Sequence, residues 1–481
     1  MKRIYLILIV LVGISVSCTK NFEDWQKDEK HPAVVPGEML FTNAQKALAD
    51  QVASSNVNLN NYKLYAQYWT ETTYTDEANY DLINRNISNN VFRVIYRDIL
   101  KDLQEARNIM SGDATTTPEA AIAKSNRLII IDVLEVYAYQ RLVDIFGNVP
   151  YSEALNIDAT LNPAYDDGMM IYKDLVARLD QVIQTLDASG ASYGSADVYY
   201  GGDVQSWITF AQSLKFRLAI TIADADAATA KGWAEAAAAK TFSSSAQDAK
   251  MVYEAAPLDN TNPIYQDLVA SGRKDFIPAN TVIDYMNSLN DPRRTAYFDL
   301  NPDANGEDYV GGIYGASNAY GNYSHVGSMI LDATFPIQLL SYTEMEFYKA
   351  EAAARGWNVG GTALEHYEAA ITASFAEWGV DGAADYIASI AWDGTTDWKK
   401  AIGMQAYLGY YQRGFEGWTT YRRLDWPEMN VPEGAITTDG GVLRRFTYPV
   451  NEQTLNAANY YQAADAVGGD LMETKLFWDK F

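Results

Sequence analysis

Apolar residues recur at helical spacing along most of this chain. Met39, Leu40, Ala44, Ala47 and Leu48 share one stripe. Ile95, Ile99, Leu103 and Ala106 share another across residues 91–110, with charges opposite. Residues 120–146 are apolar on too many sides for a peripheral helix and predict a buried one. Gly147-Asn148, with Pro150 just beyond, supplies its stop signal. Ile171, Leu175, Leu179, Val182, Ile183 and Leu186 predict a further amphipathic helix ending at Ser189-Gly190, and helices over 204–223 and 231–240 follow. Helices over 342–355 and 362–378, joined by the turn 356–361, form the clearest pair. In the second of them Ala363, Tyr367, Ala370 and Ile371 follow the small-large-small pattern of a tetratricopeptide repeat, whose small residues let two helices approach closely. No strict period of about 34 residues is visible, which argues for irregular packing rather than a clean solenoid. The predicted fold class is mostly α: irregular tetratricopeptide-like helix pairs with few or no strands.

The interruptions are as informative as the helices. Residues 301–329 are rich in Gly, Asn, Asp and Tyr and lack apolar periodicity; long irregular segments of compact proteins are usually functional or disordered. Tyr309, Tyr314, Tyr320 and Tyr323, interleaved with glycines, argue against disorder, which is poor in aromatics. The loops 72–80 and 193–202 share this character.

The beginning of the chain follows another pattern. Lys2 and Arg3 precede an unbroken apolar run over 4–12, and Gly13, Ser15 and Ser17 lead into Cys18, the one cysteine of the chain. That order predicts a secretory signal peptide over 1–17, too short to serve as a permanent membrane-spanning helix. A small residue immediately before a cysteine resembles the bacterial lipobox, with Ser15 standing where Leu is usual. Lipidation would make Cys18 the new N-terminus; the alternative is an ordinary signal peptide with an incidental cysteine. Charged, proline-containing residues 18–36 read as a lipidated tether, and 37–481 as one helical domain. The acidic pairs Glu23-Asp24 and Asp28-Glu29 read either as a surface-export signal or as a solvated linker.

Composition narrows the function classes. A lone cysteine leaves no internal disulfide and no Cys-based metal site. A formal net charge of -25, two units more negative without Lys2 and Arg3, repels phosphate backbones and anionic headgroups. Nucleic acid is therefore not an expected partner, and the lipid is the expected tether. The chain is also rich in Tyr and Trp, whose flat apolar faces with polar tips suit the C–H faces and hydroxyls of sugars, and peptides almost as well.

Several blocks, taken in order, resemble a known family. They are YWTETTYTDEANYD (68–81), DIFGNVPYSEAL (144–155), SLKFRLAITIAD (213–224), YTEMEFYKAEAAARGW (342–357), GFEGWTTYRRLDWP (414–427), RRFTYPVNEQTLN (444–456) and the closing GGDLMETKLFWDKF. Together they resemble the SusD/RagB family of nutrient-binding outer-membrane lipoproteins of Bacteroidetes, in its SusD-like subgroup, over essentially the whole chain. The resemblance implies about four tetratricopeptide-like helix pairs supporting a loop-rich ligand face. It also implies a lipid-anchored, surface-exposed lid over a SusC-like TonB-dependent transporter, capturing oligosaccharides or, in some members, peptides, without catalysis.

The family's ligand contacts lie in variable loops and do not transfer by motif, so candidate residues rest on chemistry. Ligand loops are expected mainly within 60–90 and 290–335, where aromatic faces stand beside carboxylates and amides. The first supplies Trp69, Tyr74, Asp76 and Tyr80; the second supplies Tyr314, Asn318, Tyr320, Tyr323 and His325. The alternative is that the first loop is a structural turn packing its own aromatics, and that the second packs against the helices or against the transporter. Trp207, Trp357, Trp378 and Trp418 lie on or beside helical stripes and are expected in the core. Arg422-Arg423 and Arg444-Arg445 are expected to pair with internal carboxylates. His31, His325 and His366 lack zinc-type spacing, and residues 303–308 resemble only the opening of a calcium loop. No cofactor is expected, a structural Ca being the one alternative. A surface glycoside hydrolase would need two carboxylates astride the scissile bond, and the acidic residues are too many to single out a pair. No phosphate loop, serine-triad signature or dinucleotide fingerprint occurs. A helical scaffold that binds only proteins is the third class.

Overall fold

The computed structural model describes residues 35–481. The expected signal peptide, Cys18 and the tether through residue 34 lie outside the described residues.

The hydrophobic stripes become helices that pack in pairs. Gly37–Ala53 lies on Lys101–Ser111, Pro118–Phe146 on Gly168–Thr185, Val204–Thr221 on Ala227–Ala237, and Tyr342–Ala354 on Ala363–Glu377. Trp398–Gly409 on Gly414–Leu424 adds a further pair. Short polar side chains start most of these helices by accepting hydrogen bonds from otherwise orphaned N–H groups. Thr117 caps Ala120 at 3.2 Å, Asp167 caps Met170 at 3.0 Å, and Asp203 caps Ser206 at 2.9 Å. Thr362 and Glu365 form a reciprocal capping box. Each such cap contributes about 1 kcal/mol. Gly147, at φ 89°, ends the long central helix where the sequence places its stop.

One expectation is revised. The single helix expected over 91–110 is Ile87–Arg93 and Lys101–Ser111 joined by the π-helical stretch Val94–Leu100. The wider turns rotate the side-chain stripes, so Ile95 and Ile99 stay buried while the Tyr96 hydroxyl donates to the Pro150 carbonyl. Strands are few and short, as expected: the described residues hold eight, in four two-stranded antiparallel ribbons. Each is two to four residues long, too short for an alternating pattern to register. Trp69–Glu71 pairs with Phe276–Pro278, and Ala249–Met251 with Ile337–Leu340.

One buried apolar cluster runs from Phe41 to Met472, and Trp207, Trp378 and Trp418 belong to it, with Trp357 packed against it half-buried. At its centre lies an ionic cluster. Glu344 accepts from Arg217 Nε at 2.6 Å and Nη2 at 2.8 Å, and from Arg413 Nη1 at 2.8 Å. Glu416 stands 3.6 Å from Arg217 and 3.8 Å from Arg141, whose guanidinium lies 4.1 Å from the Phe415 ring centre. Among the expected arginine pairs, Arg445 meets Asp470 at 2.8 Å, Arg444 meets Asp425 at 3.0 Å, and Arg423 meets Glu351. Arg422 is the exception. It donates to the carbonyls of Asp144 and Arg444 and stacks 3.4 Å from the Trp418 ring centre. Burial without a direct carboxylate partner lowers its pKa to about 9.

Removing one partner of a buried ion cluster strands the others. Glu344→Ala is expected to cost about 3–5 kcal/mol in urea unfolding, and Glu344→Gln, which keeps an acceptor, to cost less.

Candidate functional site

The ribbon formed by Trp69–Glu71 and Phe276–Pro278 carries two loops outward from the core. Thr72 N–H donates to the Asp275 carbonyl at 2.8 Å, and its hydroxyl to the Lys274 carbonyl at 2.8 Å, so the loop 72–80 leaves the ribbon beside 271–275. Between them opens a cavity of about 390 Å³, lined among others by Asn58, Glu71, Tyr74, Asp76, Glu77, Arg85, Asp267, Arg273 and Asp275. Tyr74 is 77% exposed at this cavity, and Asp76 is also exposed.

The deeper carboxyls are held by the fold. Glu77 is buried and accepts from Arg85 Nε at 2.6 Å; Glu71 accepts from the Ala78 N–H at 3.0 Å. Burial first, and then the adjacent Glu77 carboxylate, push the Glu71 carboxyl up to about 9. Glu71 therefore keeps its proton at neutral pH. On the rim, Arg273 pairs with Asp275 at 2.5 Å, and Asp267 accepts from the Ser55 hydroxyl at 3.0 Å. The site thus combines an open phenol face with carboxylates that accept from hydroxyls and guanidinium groups that donate to them.

The second loop packs against Lys274, which lies between the rim residues Arg273 and Asp275. Its ammonium lies 5.1 Å from the centre of the Tyr320 ring, which stacks on His325 at 4.1 Å and 13°. Tyr323 is half-buried, and its carbonyl accepts from Asn301 Nδ2, as does that of Gly321. Residues 302–305 form one helical turn, and Asn305 also braces this loop by donating to the Asn322 carbonyl. The stretch that resembles a calcium loop thus positions aromatics. Among the described residues no group of three or more His, Cys, Asp or Glu is disposed to hold a metal ion.

Four of the sequence-derived candidates lie in the core instead of at the surface. Trp69 is buried because its strand is covered on both faces, and its indole N–H donates to the Tyr411 hydroxyl at 3.0 Å. Tyr80 and Tyr314 are buried together, with ring centres 6.5 Å apart. Asn318 is a clasp: its Nδ2 donates to the carbonyls of Glu71, Ile313 and Ala316, and its Oδ1 accepts from the Ile313 N–H. An amide saturated by backbone has nothing left for a ligand. Tyr74 and Asp76 stand at the cavity; Tyr320, Tyr323 and His325 do not line it, and Tyr320 packs instead under the Lys274 ammonium. Sequence reasoning missed Arg85, Asp267, Arg273 and Asp275. The basic pair Arg273-Lys274 after Gly272, in so acidic a chain, was the available signal.

The sequence matches the profile of the SusD-like family, described as starch-binding and associating with the outer membrane, over residues 29–449. No curated protein matches it. Among solved structures it is similar to a chitin-binding SusD homologue from Flavobacterium johnsoniae, at 25% identity and TM-score 0.78, covering 92% of this chain and 97% of that one. It is likewise similar to a SusD homologue from Bacteroides uniformis, at 27% identity and TM-score 0.77, covering 92% and 99%. A SusD homologue from Bacteroides thetaiotaomicron shares the fold at 24% identity and TM-score 0.78, with the same coverage. With helix pairs, loop face and profile in agreement, the chain belongs to the SusD-like family.

Proposed function

We propose that this protein is a cell-surface nutrient-binding lipoprotein of the outer membrane, anchored through lipid on Cys18. It captures oligosaccharide at the Tyr74 cavity and passes it unaltered to a SusC-like TonB-dependent transporter. The observation that carries the reading is the exposed Tyr74 ring at a cavity lined by Asp76, Asp275, Arg85 and Arg273. An aromatic face takes the C–H face of a sugar ring, and the charged rim takes its hydroxyls. The cavity volume falls within the roughly 300–1,000 Å³ typical of small-ligand sites. Its excess of carboxyls over guanidinium groups favours neutral or amino sugars over sulfated ones. The family description and the chitin-binding relative from Flavobacterium johnsoniae point to the same ligand class.

The deciding experiment incubates the purified protein with maltooligosaccharides and chitooligosaccharides. Saturable binding with the glycan recovered intact is expected. New reducing ends would make it a hydrolase, and binding of peptides alone would replace the saccharide.

Tyr74→Ala is expected to weaken binding about 5- to 10-fold in calorimetric titration, matching the loss of about 1–1.5 kcal/mol of stacking. Trp69→Ala is expected instead to lower stability by about 3–5 kcal/mol, because that ring is core. The pH dependence follows from Glu71. Its folded-state pKa lies above the ordinary 4.5, so the stability it contributes is full below that value and is lost as pH rises toward 9. Glu71→Gln, an uncharged mimic of the protonated form, is expected to flatten urea-unfolding stability across that window; an unchanged slope would place the proton elsewhere. Cys18→Ala is expected to abolish palmitate incorporation and release the protein from the outer-membrane fraction.

A further inference from the structure

A second cavity, of about 290 Å³, shares no lining residue with the first. Its wall includes Asp248, Phe335, Glu377, Trp378, Gln412 and Arg413. The fold uses the two acids: Asp248 accepts from the Tyr342 N–H at 2.7 Å, and Glu377 from the Thr343 hydroxyl at 3.2 Å. Three neighbours on the same wall are different. Trp378 Nε1, Arg413 Nη2 and both polar atoms of the Gln412 amide complete no hydrogen bond with the protein.

Gln412 is the most telling of these. It is buried, 3% exposed, and its backbone is held at φ 77°, where glycine sits without cost and other residues are strained. A glycine would make the same turn and leave no buried amide unpaired. Beyond a loose approach to the Tyr411 hydroxyl the fold gains little from glutamine here, and strained backbone combined with a poorly satisfied polar group is what ligand sites retain.

We propose that this cavity is a second saccharide site, taking a single pyranose ring between the apolar faces of Phe335 and Trp378 and the polar atoms of Gln412 and Arg413. The two aromatic rings pack on each other, centres 5.9 Å apart at 36°, and together form one apolar wall facing Gln412 and Arg413. The amide both donates and accepts, as a sugar hydroxyl does, while the indole and guanidinium groups donate. An anion would face Asp248 and Glu377, and a cation would face Arg413 and Lys250. A neutral polyhydroxylated guest meets every group with the correct polarity. The site does not depend on the Tyr74 cavity.

The test uses Tyr74→Ala protein, in which the first site is weakened, titrated with D-glucose, D-galactose, D-mannose and N-acetyl-D-glucosamine and followed by tryptophan fluorescence and calorimetry. At least one sugar is expected to bind saturably in the millimolar range. Adding Gln412→Gly is expected to weaken that binding at least tenfold while leaving the melting temperature equal or higher, since it removes both strain and an unpaired amide. Phe335→Ala supplies an independent second variant and is expected to weaken binding as well. Absence of saturable binding up to 100-fold above the millimolar range, or undiminished binding in folded Gln412→Gly protein, would overturn the proposal.

Discussion

The structure turns on one buried carboxylate. Glu344, in the first turn of Tyr342–Ala354, holds Arg217 from Val204–Thr221 and Arg413 from the residue preceding Gly414–Leu424. Taking three charges out of water is costly, and the cost is offset only because the guanidinium forks meet the carboxylate at hydrogen-bond distance. The cluster thereby fixes where the helix Gly414–Leu424 begins. That helix presses against 62–68 so closely that a Cβ on Gly414 would lie 2.4 Å from the Lys63 nitrogen, and one on Gly417 2.3 Å from the Tyr68 hydroxyl. The segment 62–68 runs straight into the strand Trp69–Glu71, so the ionic cluster sets the position of the ribbon that carries the candidate site.

Aromatic residues serve the two parts of the molecule differently. Tyr65, Tyr68, Tyr80, Tyr314, Tyr407 and Tyr410 are all buried, and burial raises their hydroxyl pKa values. They form the contacts between scaffold helices and loops. Few rings remain for recognition, and of the candidates Tyr74 alone is broadly exposed. A chain rich in tyrosine is thus mostly spending those rings on its own interior.

At 24–27% identity the scaffold superposes with TM-scores of 0.77–0.78, so many side chains can change while the helix pairs persist. Helix pairing needs only apolar stripes and caps of the right kind, which many sequences supply. Loop chemistry has no such degeneracy, because each contact depends on one side chain at one place.

Local pattern was enough to place most helices, their caps and stops, and the aromatic character of the two loops. Those features are local: a stripe repeats every three or four residues, and a cap acts within one turn. Tertiary structure alone decided which loop aromatics face outward. Trp69 and Tyr74 lie five residues apart in one motif, yet one is sealed under Tyr411 and the other stands open at a cavity. Nothing in their local sequence separates them, because burial is set by Phe276 and Tyr411, residues more than two hundred positions away. The same holds for Asn318, whose amide donates to the Glu71 carbonyl brought to it from strand Trp69–Glu71, and for the partners of Glu344. Long-range packing assigns a polar or aromatic side chain to core or to site, and local pattern carries no record of it.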